Sequence, residues 1–177
     1  MASTLKIPPN NLGIYLTKKI KLNIDIYAKT GISTVELSKL RSGLIKTLDA
    51  KKLYLILKAE ELKLNDALKQ IYPNLSLISE AKGSPTFEDL FDFFDAVEAN
   101  TLTKISLKTG IPLARLKNIK NNQVNPAAHE LYLIELATKT KPGTLFTILF
   151  EDLELNSQDE EARLRMLEKQ RSSKKLL

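Results

Sequence analysis

Apolar residues in this chain recur three and four positions apart instead of alternating, and Gly and Pro fall between the periodic runs. That pattern predicts an all-α protein. The spacing predicts helices over roughly 11–21, 23–30, 33–42, 49–61 and 65–72, and again over roughly 86–98, 101–109, 113–121, 127–139 and 143–150. Ser33, Asp49 and Asn65 stand where the third, fourth and fifth of these begin. Each offers a side-chain acceptor to the unpaired N–H groups of a first turn. Gly31 and Gly43 flank the third helix, where a positive φ suits glycine. Pro73 closes the first set, and Pro142 fits the first position of the last helix in the second. In the connector 74–85, Lys82-Gly83-Ser84-Pro85 is turn chemistry, whereas Leu75, Leu77 and Ile78 suggest that part of the segment packs on a domain.

The two sets of helices are copies. Ile26-Tyr27-Ala28-Lys29-Thr30-Gly31-Ile32 returns 79 positions later as Ile105-Ser106-Leu107-Lys108-Thr109-Gly110-Ile111. Leu37, Leu40 and Arg41 match Leu116, Ile119 and Lys120. After a one-residue deletion, Leu53-Tyr54-Leu55-Ile56 matches Leu131-Tyr132-Leu133-Ile134. A repeat of about eighty residues is too long for a solenoid unit and right for a small helical domain. It divides the chain into residues 1–79, 80–156 and a charged tail, 157–177. The tail opens with acids, as a helix dipole prefers, but Ala162, Leu164, Met166 and Leu167 form only a narrow apolar stripe. Such a helix is marginal alone, so the tail is expected either to dock on a partner or to fray.

Charge separates the copies. Residues 1–79 carry 13 Lys and Arg against 6 Asp and Glu, residues 80–156 carry 8 against 11, and the tail carries 6 against 4. A basic unit attracts polyanions such as nucleic acid or anionic lipid. Within the second copy Glu88, Asp89, Asp92, Asp95 and Glu98 crowd its first helix, while Lys104, Lys108, Arg115, Lys117 and Lys120 lie in an acid-free stretch, 99–129. The chain has no cysteine, which removes disulfides and thiolate metal sites. It has no apolar run of membrane-spanning length and no signal-like start, so a cytoplasmic protein without a membrane partner is expected.

In the first copy, Ile26, Gly31, Ile32, Ser33, Leu37, Leu40 and Gly43 set a definite geometry. The two isoleucines would fill the space between the second and third helices. Leu37 and Leu40 would give the third helix one buried stripe and turn Ser33, Thr34, Val35, Ser38 and Lys39 outward. This spacing resembles the lambda repressor and Cro-like (XRE) helix-turn-helix family, from about Leu12 to Tyr72 and again from Phe87 to Phe150. The resemblance implies two tandem five-helix helix-turn-helix domains plus a C-terminal helical tail. It also implies sequence-specific binding of double-stranded DNA and transcription regulation by operator occupancy. Carried over, the family's base-reading positions are Thr34, Val35 and Lys39 in the first copy. In the second they are Leu113, Ala114 and Asn118, of which Asn118 alone has bidentate hydrogen-bonding capacity. The phosphate-binding candidates are Asn23, Ser33, Ser38, Arg41 and Lys46, with Lys29 behind them, and Arg115, Lys117 and Lys120 in the second copy. Ser33 and Ser38 have helix capping as an alternative role. The second copy departs from the pattern at Pro112, in place of Ser33, and at Leu102, in place of Asn23. Tyr27 departs as well, standing where the family keeps a small residue, so it must extend outward or have room made for it. DNA contact is therefore expected mainly from the first copy.

Catalytic chemistry is thin. His129 is the only histidine and is expected to be a surface or capping residue; no metal-ligand spacing, triad or phosphate-binding glycine loop accompanies it. No enzyme, cofactor or metal is expected. The competing reading is a protein-interaction module, adaptor or antitoxin-like, using the second copy and the tail. Oligomeric state stays open: two copies in one chain could imitate a dimer on a pseudo-palindrome, or a homodimer could present four.

Overall fold

The computed structural model describes residues 9–78 and 100–174, and among these the regular elements are helices. The first repeat contains α1 (Leu12–Lys19), α2 (Asn23–Thr30), α3 (Thr34–Arg41), α4 (Ala50–Ala59) and α5 (Leu64–Ile71). The second contains α6 (Asn100–Thr109), α7 (Leu113–Lys120), α8 (Ala128–Ala137) and α9 (Thr144–Phe150), and α10 (Gln158–Lys174) follows. The helix expected at 86–98, with its acidic cluster, lies outside the described residues. No helix among the described residues is long and apolar enough to cross a membrane.

Local chemistry accounts for most boundaries. Gly31 ends α2 at φ 76° and donates its N–H to Tyr27 O at 2.8 Å. The second repeat does the same with Gly110 at φ 73°, and Asn122, at φ 54°, stands in for Gly43. Ser33 Oγ accepts the Glu36 N–H at 3.2 Å, and Asp49 Oδ1 accepts those of Lys51 and Lys52 at 2.9 and 3.3 Å. Ser33→Ala should therefore cost about 1 kcal/mol, or about 2–4 °C in melting temperature for a chain of this size. Ser33→Asp, which keeps the acceptor, should melt like the parent in a thermal scan.

Two expected helix starts are corrected. Asn65 does not cap α5, which begins one residue earlier, at Leu64; its Oδ1 is buried without a hydrogen-bond partner. Pro142 is not the first residue of α9. Gly143 at φ 95° precedes that helix, and the Glu135 carboxylate of α8 accepts the N–H groups of Gly143 and Leu145 at 2.8 and 2.7 Å. A cap supplied by another helix is invisible to local spacing.

The repeats share one core. Leu12, Leu16, Ile26, Leu37, Leu40, Leu53, Ile56 and Leu68 of the first are continuous with Ala128, Leu131, Tyr132 and Phe146 of the second. A smaller cluster of Ile105, Ile111, Leu116, Leu133 and Ala137 lies within the second repeat, and Leu75 and Leu77 of the connector pack against it, as their apolarity predicted. α8 is the hub. It packs on α4, α6 and α9, and eight of its ten residues are buried, among them Glu130 and Glu135. An apolar pattern running round a whole helix is what a position between two units requires.

The pairing of repeats is reciprocal. Asp49 and Ala127, equivalent residues of the two copies, face each other in an antiparallel bridge. The Ala50 N–H donates to Pro126 O and the Ala128 N–H to Leu48 O, at 2.9 and 2.8 Å. Tyr54 of the first copy meets Phe150 of the second at 5.8 Å between ring centroids, while Tyr132 of the second meets Tyr72 of the first at 6.2 Å. The segments that leave each repeat also cross to the other. The Ile78 N–H donates to Lys108 O at 2.7 Å, and the Asn156 N–H to Lys29 O, the equivalent carbonyl, at 2.8 Å. Each contact and its mate exchange under one two-fold operation, so the interface is isologous within a single chain.

Candidate nucleic-acid interface

In the first repeat, α2, the turn 31–33 and α3 hold the candidate side chains. Ile26 and Ile32 plug the angle between the helices, and Leu37 and Leu40 seat α3, all of them buried. The opposite face of α3 remains outward: Val35 is 55% exposed, Ser38 and Lys39 are exposed, and Thr34 is half-buried. Three phosphate-binding candidates meet at the start of α2. Asn23 Nδ2 donates to Ser38 Oγ at 2.9 Å, Arg41 Nη1 donates to Asn23 Oδ1 at 2.8 Å, and Ser38 Oγ donates to Thr34 O at 2.9 Å. This ties the first turn of α2 to the body of α3 and fixes the angle between them. Ser33 serves as the N-cap. Lys39 and Lys46 are exposed. Lys29 is tied back to the scaffold, its Nζ donating to Ala59 O at 2.9 Å.

The second repeat carries no such network. Leu102 takes the place of Asn23 and is part of the apolar packing, and Lys117 and Lys120, in the places of Ser38 and Arg41, are exposed. Ala114 is exposed, while Leu113 and Asn118 are half-buried. Pro112 starts α7 without a side-chain cap. Arg115 is held by the protein itself. Its Nε and Nη2 donate to the two Glu130 oxygens at 3.0 and 2.9 Å, and Nη2 donates also to Asn125 O at 3.0 Å. The first repeat has the same link with its polarity reversed, since Glu36, the equivalent of Arg115, accepts from Lys52, the equivalent of Glu130, at 2.6 Å. An ion pair joining α3 to α4 in one copy and α7 to α8 in the other is a structural device. The resemblance makes Arg115 a phosphate-binding candidate; the structure pairs it with Glu130, and the exchanged signs at 36/52 and 115/130 are the clue to that pairing in the sequence.

Electrostatics follow burial. Desolvation pushes the Glu130 carboxyl up, but hydrogen bonds from Arg115 and the Ala127 N–H, with the Arg115 charge, outweigh it and leave the group below its ordinary value. Burial raises Glu135, against the opposing N–H groups of Gly143 and Leu145. His129 is neither a surface nor a capping residue. It is 5% exposed, its ring 6.4 Å from that of Tyr72 in the seam between repeats. Burial holds its imidazole below the ordinary value, with Arg115 acting the same way and Glu130 against.

The tail docks on its own chain. α10 packs on α2, with Arg165 Nη1 on Asp25 Oδ1 at 2.7 Å and Glu168 Oε1 accepting the Thr34 hydroxyl at 2.7 Å. Tyr27, the departure from the family pattern, is only 7% exposed, on the helix that α10 covers. Among the described residues no group of three or more His, Asp or Glu side chains is placed to hold a metal ion. Comparison with protein-family models, with curated proteins and with solved structures finds no match.

Proposed function

We propose that this chain is a sequence-specific double-stranded DNA-binding regulator in which two helix-turn-helix units of the lambda repressor and Cro-like type, α2–α3 and α6–α7, act as an intramolecular dimer on one pseudo-palindromic site. Reciprocal pairing of the repeats supports this reading most. DNA half-sites arranged about a dyad are met by protein units related by a two-fold operation, and here that operation lies inside the chain. The first unit is the principal reader: Val35 and Lys39 are exposed on α3 with Thr34 half-buried beside them, Asn23, Ser38 and Arg41 gather at its phosphate side, and Lys46 is exposed. The second unit, with exposed Ala114 and half-buried Leu113 and Asn118, contributes a weaker half-site through Asn118, Lys117 and Lys120.

The test is titration of duplex DNA across a range of salt. If the first unit contacts about four to six phosphates, log K should fall against log salt with a slope of about −4 to −5. One chain should occupy one duplex at saturation. An affinity unaffected by salt, or a stoichiometry of two chains per site, would defeat this arrangement.

A further inference from the structure

The C-terminal helix stands where DNA would approach the first unit. Asn156 donates through its backbone N–H to Lys29 O and through Nδ2 to Ala28 O, both at 2.8 Å, which fixes the start of α10 at the C-terminal end of α2. The helix then reaches the first turn of α2, where Arg165 binds Asp25. One turn later Glu168 takes the hydroxyl of Thr34, the first residue of α3. A reading position is thereby used up, and a carboxylate is set at the mouth of a surface meant for phosphates and base edges. Like charges so placed oppose binding.

The attachment is thin. Of the seventeen residues of α10 only Leu164 is buried, while Met166 and Leu167 are exposed. The Arg165–Asp25 pair is more than one-third exposed on both sides, a class of ion pair that contributes little. Tyr27, 7% exposed, lies on the helix that α10 covers. The second repeat has Ser106 at that position, so the seat for α10 is particular to the first.

We propose that α10 is a releasable cover on the α2–α3 face, and that duplex DNA and α10 compete for it. This rests on the DNA-binding reading above. The chain is held partly in a closed state whose opening sets the apparent affinity, which is reduced by the fraction of molecules closed.

Charge makes the test decisive. Arg165→Glu removes positive charge and so should weaken DNA binding by electrostatics alone; release of the cover should instead strengthen it about 3- to 10-fold. The measurement is a binding titration of the full chain with a mixed-sequence duplex of about 30 base pairs. Leu164→Ser, which changes no charge, should raise affinity similarly. Adding Asp25→Arg to Arg165→Glu re-forms the pair with opposite polarity, and should return affinity toward the parent even though it adds positive charge. Arg163→Glu, equal in charge change but at a side chain whose ion pair is with Glu160 of α10 itself, is the control and should not strengthen binding. If the parent binds duplex but neither Arg165→Glu nor Leu164→Ser binds more tightly, the cover is overturned and the DNA-binding reading stands. If no form binds duplex even at low salt, that reading fails and the cover falls with it.

Discussion

Arg115→Ala should lower stability by about 3 kcal/mol, the low end of the range for breaking a buried pair, because the arginine itself is one-third exposed. The loss comes from Glu130. Its side chain is 9% exposed, and without Arg115 its charge is left with the Ala127 N–H as its hydrogen-bond donor. For a chain of this size the change corresponds to a drop of about 6–12 °C in melting temperature, measured at neutral pH. Adding Glu130→Gln to Arg115→Ala should recover part of it, since the buried charge is gone while an acceptor for Ala127 remains. The sign with pH follows from the direction of the Glu130 shift. A carboxyl held below its ordinary value stabilises the fold above that value, and the contribution is lost as pH falls through the lowered one. The parent should therefore lose its advantage over Arg115→Ala on acidification. An Arg115→Ala variant that melts with the parent at neutral pH would mean that the guanidinium is free for a ligand, as the resemblance implies.

Reversing Lys39 and Lys46 together should weaken duplex binding at least about tenfold at 0.1 M salt, and more than reversing Lys117 and Lys120 together. All four are exposed, each pair removes the same charge, and each sits on α3 or α7 or just beyond. Arg41 and Arg115 are left out because each already bonds within the protein, to Asn23 and to Glu130. The first pair lies on the repeat that carries the Asn23–Ser38–Arg41 network and an excess of positive charge; the second lies on a repeat where Leu102 has removed the equivalent of Asn23. Lys39→Ala alone should also relax preference at one base pair, whereas Lys46→Ala should weaken all sequences alike. A larger loss from Lys117 and Lys120 would exchange the roles of the two repeats.

Much of this architecture was legible in the chain, for local reasons. Helices α1 to α9 follow the apolar period; Ser33, Asp49, Gly31 and Gly43 punctuate it with their own backbone chemistry, and the repeat identifies equivalent positions. The outward face of α3 follows from Leu37 and Leu40 alone, because two residues three apart on a helix determine which side is buried.

What the sequence did not show shares a cause: each case concerns a side chain whose partner lies on another element. Arg115 is a phosphate-binding candidate by resemblance, and its pairing with Glu130, one helix on, is visible only in the structure. His129 resembled a surface residue because the seam that buries it needs Tyr72 from the other repeat. Gly143 and Pro142 were misassigned because the acceptor that starts α9 is Glu135, on α8. Asn65 had the right chemistry for a cap and the wrong register.

By itself, then, the sequence determined the helical elements, the two-fold repetition and the unequal charge of its halves, since these depend on neighbours within a few positions. Tertiary structure alone decided that the repeats pair reciprocally through Asp49 and Ala127, that Tyr27 is sheltered instead of exposed, and that the tail lies on α2 with Glu168 on Thr34. Those contacts join residues up to 140 positions apart. Their free energy depends on which surfaces meet, and no period or cap along the chain encodes that.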